Sequence, residues 1–119
     1  MNKPIVIIES PYAGNIDRNI EYARAAMKDC FARGEIPFAS HILYTQEGIF
    51  DDENPAERKL GIEAGFEFRR FADKTAVYDD LGMSKGMHEG ISDSIKKGIP
   101  IEYRSIPNWT NEIKLKEII

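Results

Sequence analysis

The run Ile5-Val-Ile-Ile-Glu-Ser-Pro-Tyr-Ala-Gly14 constrains this chain most. Its β-branched residues stop at Ser10-Pro11, and after Gly14 and Asn15 the apolar pattern restarts at helical spacing. A strand, a tight loop of small residues and a helix must follow one another there, with the first helical amides turned back towards the loop. The same construction returns at Thr75-Ala-Val-Tyr-Asp-Asp-Leu-Gly-Met-Ser-Lys-Gly86. A helix N-terminus with oriented amides is a ready anion site. Two such loops on one small sheet therefore point to a nucleotide or nucleoside site. What becomes of the ligand they do not say.

The rest of the chain alternates in the same way. Strands are expected at 4–9, 36–40, 74–79 and 100–104. The first helix, 16–33, is capped by Asn15 or Asp17, carries Ile20, Ala23, Met27, Cys30 and Phe31 at helical spacing, and ends at a left-handed Gly34. Asn54-Pro55 starts the second, which runs to about 71 with Leu60, Ala64, Phe68 and Phe71 along it. Ser84 caps the third, which reaches Lys97 and stops at Gly98, and a last helix is expected at 109–119. The polar connection 41–54 is long for a small domain and reads as a lid, a binding loop or a subunit contact.

Alternating strands and helices imply a parallel sheet covered on both faces, joined by right-handed crossovers. The expected architecture is an α/β three-layer sandwich with a four- to five-stranded parallel sheet, flavodoxin-like, in strand order 2-1-3-4. Its crevice opens between strands one and three, where the winding reverses and the two loops meet.

At 119 residues the chain is expected to be one domain, 1–119. A net charge of -4 with no basic stripe argues against a nucleic acid polymer as partner. One cysteine, Cys30, has no internal disulfide partner and reads as a buried thiol. No apolar run is long enough for a membrane span, and the N-terminus carries no signal-peptide pattern, so a cytoplasmic location is the expectation. His41 and His88 stand far apart without cysteines nearby, so neither a metal nor another cofactor is expected.

Three segments hold the candidate site residues. In the 10–15 loop, Ser10, Ala13, Gly14 and Asn15 let the backbone approach a ligand, Tyr12 can stack on a base or sugar, and Arg18 can grip a phosphate. The competing reading is a turn with Tyr12 as packing. In the 79–90 loop, Ser84, Gly86 and Met87 form a capped helix start that can hold phosphate, and Asp79 and Asp80 can hold a ribose hydroxyl; a plain cap and turn acids are the alternatives. After strand two, His41 and Tyr44 can contact a base, or be ordinary polar and packing residues. Glu63 and Glu89 are the candidate acid, base or nucleophile carboxylates, each on a helix that also has solvated faces. No P-loop and no Ser/His/Asp order is present.

Ser10-Pro-Tyr-Ala-Gly-Asn15, Arg18-Asn19, Pro37-Phe-Ala-Ser-His41, Leu43-Tyr-Thr-Gln46, Leu60-Gly-Ile-Glu-Ala-Gly65, Val77-Tyr-Asp-Asp-Leu-Gly82 and Ser84-Lys-Gly-Met87 together resemble a family of small bacterial and phage proteins. That family is related to the nucleoside 2-deoxyribosyltransferase-like superfamily. The resemblance spans about residues 4–106. It implies a pocket for a nucleoside or nucleotide, a homo-oligomer, and enzymes that cleave or exchange N-glycosidic bonds. In that superfamily a Glu six residues after the helix-capping Ser is the nucleophile, and an Asp on the second helix orients the sugar. Here those positions fall on Gly90 and near Gly65. Either the site is rebuilt around Glu63 and Glu89, or the pocket captures its ligand without turnover. Capture is the first expectation, with a phage anti-defence protein that sequesters a nucleotide-derived, possibly cyclic, immune signal as one form of it. The alternative is an N-glycosidase or deoxyribosyltransferase acting on nucleosides or their monophosphates. An interaction subunit with a vestigial pocket is a third reading.

Overall fold

The computed structural model describes residues 2–107 and 109. Its elements are β1 (Ile5–Glu9), α1 (Ile16–Ala32), β2 (Ile36–Phe38), α2 (Ser40–Leu43), α3 (Pro55–Arg69), β3 (Lys74–Tyr78), α4 (Lys85–Lys97) and β4 (Ile101–Arg104). The strands form one parallel sheet in the order β2-β1-β3-β4. This is the expected α/β, flavodoxin-like arrangement, and the chain reversal lies between β1 and β3. The helix expected at 109–119 falls outside the described residues apart from Trp109, which is buried.

Side chains of a strand alternate between the two faces of a sheet. Val6 and Ile8 of β1 and Ala76 and Tyr78 of β3 pack with Tyr22, Ala26 and Cys30 of α1 into the main apolar core. Tyr22 and Trp109 meet edge to face there, their ring centres 5.0 Å apart. Glu9 and Thr75 belong to the opposite alternation, on the side covered by α3 and α4.

Three local expectations need correction. β2 stops at Phe38, and Ser40–Leu43 forms a helical turn where strand and loop were expected. That turn packs against α3, with Ser40 against Gly65: a β-carbon on Gly65 would stand 2.5 Å from Ser40 Oγ. α3 ends at Arg69, short of Phe71. The third concerns the apolar row of α3. Leu60, Phe68 and Phe71 are 54%, 45% and 61% exposed, while the neighbouring row of Gly61, Gly65 and Arg69 turns inward. Small residues at that spacing let α2 approach closely, and this packing decides which face is buried. Phe31, on α1, is likewise exposed.

The caps follow the sequence closely. The Asn15 side chain accepts from the Arg18 amide, Asn54 from those of Ala56 and Glu57, and Ser84 from that of Met87. Gly34 and Gly98 adopt the left-handed conformation that closes α1 and α4.

Candidate functional site

A cleft of about 200 Å³ opens at the carboxyl ends of β1 and β3. The loop after β1, α2 with the connection behind it, one face of α3 and the start of α4 form its walls. Asn19 shapes the first wall: its side-chain amide donates to the carbonyls of Tyr12 (2.8 Å) and Ala13 (3.1 Å), folding the loop back onto α1.

Ser10 and His41 face each other in this wall, with Ser10 Oγ 2.7 Å from His41 Nε2. Burial lowers the His41 pKa to about 4, so its ring is neutral near pH 7. Tyr44 and Phe50 line the cleft beside it, ring centres 6.2 Å apart. Opposite, Ser84, Lys85, Gly86 and Met87 bring the start of α4 to the cavity. The Ser84 hydroxyl is engaged with the Met87 amide at 3.2 Å, so the first amides of α4 rather than this hydroxyl are what the helix start offers.

The floor is a buried charge network. Arg69 Nη2 donates to Glu9 Oε2, and its Nη1 to the Gly90 carbonyl and Ser94 Oγ, all at 2.5 Å. Arg69 Nε lies 3.3 Å from Asp93, whose two carboxylate oxygens both accept from Lys97 Nζ, and Ser94 Oγ is 2.8 Å from Thr75 Oγ1. The side chains of Arg69 and Glu9 are 3% and 12% exposed. Burial outweighs the pull of Arg69 and pushes the Glu9 carboxyl up to about 7. Among the described residues Glu9 Oε1 accepts no hydrogen bond, and the Glu9 side chain lines the cleft. A β-carbon on Gly90 would land on the Glu9 carboxyl group. The space beside α4 at position 90 is thus filled from β1.

Of the residues expected from sequence, Ser10, Tyr12, Ala13, His41, Tyr44, Ser84, Gly86, Met87 and Glu89 line the cleft. Gly14, Asn15 and Arg18 lie outside it, exposed where α1 begins, because α1 starts beyond the cleft wall. Asp79 also lies outside; its amide donates to the Arg104 carbonyl at 3.3 Å. Its neighbour Asp80 accepts from Tyr22 Oη and the Ile106 amide, a structural role. Glu63 sits on the outer side of α3, 3.9 Å from Lys59. Glu9, Arg69, Asp52, Glu57 and Phe66 line the cleft without having stood out in the sequence. For Glu9 a signal existed: one acid ends an otherwise β-branched strand, immediately before the loop. For Arg69 there was none, since its burial depends on Gly61 and Gly65.

A family described as a domain of unknown function (DUF7768) has a model that matches residues 4–104. The chain belongs to this family. No curated protein matches it. Among solved structures, this chain is similar to a 2-deoxyribosyltransferase from the psychrotolerant bacterium Bacillus psychrosaccharolyticus, described as a biocatalyst for the synthesis of nucleosides. The TM-score is 0.60 at 17% identity, over 85% of this chain and 72% of the other. At that identity the likeness speaks for the fold. No helix among the described residues of this family member is long and apolar enough to cross a membrane.

Proposed function

We propose that the cleft takes a nucleoside or nucleotide and that the protein acts on its N-glycosidic bond. One observation carries the reading: at the chain reversal, the β1 loop with Tyr12 and the start of α4 face each other across a cleft that also holds carboxylates. Ligands of open parallel sheets bind in that crevice. The amides and Lys85 of α4 suit a phosphate, Tyr12 and Ala13 the sugar, and His41, Tyr44 and Phe50 the base. The shared fold with a 2-deoxyribosyltransferase supports the same ligand class.

A second reading, capture without turnover, draws on the Glu9–Arg69 ion pair, which holds the deepest carboxylate by one oxygen. Sequestration of a nucleotide-derived signal is one form of it.

Mass spectrometry separates the two. The protein is incubated with nucleosides, nucleotides and cyclic nucleotides, freed of unbound ligand, and both fractions are analysed. Free base and sugar or sugar phosphate in solution support the glycosidic reading. Intact ligand recovered only from the protein supports capture. No retention and no cleavage across the panel overturns the pocket assignment.

A further inference from the structure

We propose that Glu9 is the catalytic carboxylate of this cleft, delivered from the end of β1 into the place that α4 leaves open at Gly90. The inference rests on the glycosidic reading above and names the group that carries it out. Four carboxylates line the cleft: Glu9, Asp52, Glu57 and Glu89. Asp52 lies 3.7 Å from Arg58, and Glu57 stands in the first turn of α3, where an acid complements the helix amides. Glu89 projects from α4, one residue from the position that faces the floor. Glu9 alone ends a sheet strand at the chain reversal.

The geometry around Glu9 is built rather than incidental. With Glu9 in this place, a β-carbon at position 90 would overlap its carboxyl group, so any side chain there must displace it. Arg69 anchors Oε2 and is itself fixed by the Gly90 carbonyl, Ser94 and Asp93. Such an anchor leaves Oε1 as the oxygen that can meet a ligand, and a carboxylate held on one side is oriented for attack. In the step, Oε1 bonds to the anomeric carbon of the bound nucleoside. The carbon–nitrogen bond breaks, and its electron pair leaves on the base, which takes a proton from water. The hydroxide so formed attacks the same carbon and expels the Glu9 carboxylate. The sum is nucleoside plus water giving free base plus sugar. Because only ionised Glu9 attacks, and burial places its pKa near 7, base release should rise with pH through that region and level off above it.

The test compares wild type, Glu9→Gln, Glu9→Ser, Glu89→Gln and the double variant Glu9→Ser/Gly90→Glu, reading nucleoside binding by calorimetry and base release by chromatography. Glu9→Gln should bind within a few-fold of wild type and lose at least about a hundredfold in turnover, with the limb near pH 7 abolished. Glu89→Gln should lose far less turnover than Glu9→Gln and should keep the limb near pH 7. The double variant returns a carboxylate to the same space from the helix side and should regain turnover over Glu9→Ser. It also keeps the assignment falsifiable if Glu9→Gln fails to fold. Turnover undiminished in Glu9→Gln, or lost equally in Glu89→Gln with the pH limb unmoved, overturns the assignment while the glycosidic reading stands. Wild type that binds nucleosides but never releases base overturns both the assignment and the turnover it rests on. Wild type that binds none fails the pocket itself.

Discussion

Arg104 and Glu35 show how much a single residue can carry in this fold. Two parallel hydrogen bonds of 2.8 Å join them, both side chains are buried, and Arg104 also reaches Tyr78 Oη at 3.2 Å and Glu102. The hydrogen bonds from Arg104 hold the Glu35 carboxyl below its usual range. Removing one partner leaves the other with only a more exposed second partner, Glu102 for Arg104 and Lys74 for Glu35, so Glu35→Gln and Arg104→Met should each cost about 1–3 kcal/mol in urea unfolding. His41 and Glu9 set opposing pH dependences. With its pKa lowered from 6.5 to about 4, neutral His41 contributes stability that is present above pH 6.5 and lost as the pH falls towards 4. With its pKa raised from 4.5 to about 7, Glu9 contributes stability that is full below pH 4.5 and lost as the pH rises through 7. Between pH 4.5 and 6.5 the two nearly cancel. Glu9→Gln removes one of them, so unfolding midpoints at pH 7 and pH 5 should show this variant losing stability on acidification where wild type stays nearly level.

At the scale of elements, glycines decide how the helices seat. Gly90→Ala drives a methyl group into the Glu9 carboxyl and should cost about 1–3 kcal/mol, while also weakening ligand binding by displacing the cleft floor. Gly65→Ala meets the Ser40 hydroxyl instead, a small side chain that can turn away, and should cost less. Loss of the Ser84 cap in Ser84→Ala should cost about 1 kcal/mol without touching the floor. Thermal unfolding of the three variants ranks them; a Gly90→Ala protein as stable as wild type would mean that Glu9 has other room. The starts of α1, α3 and α4 and the β1–loop–α1 unit were legible in sequence because caps and strand patterns are local. The α2 turn was not, since Ser40–Leu43 is too short to carry a helical period and takes its place from packing on α3.

For the whole molecule, exposed Leu60 and Phe68 of α3 and Phe71 just beyond it, with Phe38 of β2 stacked on Phe68 at 4.3 Å, leave apolar surface beside the sheet edge. The homo-oligomer expected from sequence is proposed to use it. Phe71→Glu should then shift sedimentation towards a smaller species with the cleft intact; an unchanged sedimentation coefficient would remove this face as the contact.

Sequence alone determined the layering, the strand order and the end of the sheet at which the cleft opens. These follow from periods of 2 and 3.6 residues, glycine and proline punctuation and the handedness of crossovers, all properties of short stretches. The residues of the β1 loop and the start of α4 were legible for the same reason. Tertiary structure alone decided that Arg69 is buried, that the apolar row of α3 faces outward, and that the carboxyl group beside position 90 comes from Glu9. Each depends on which side chain occupies a volume shared by elements far apart in the chain, and no local pattern specifies how such a volume is filled.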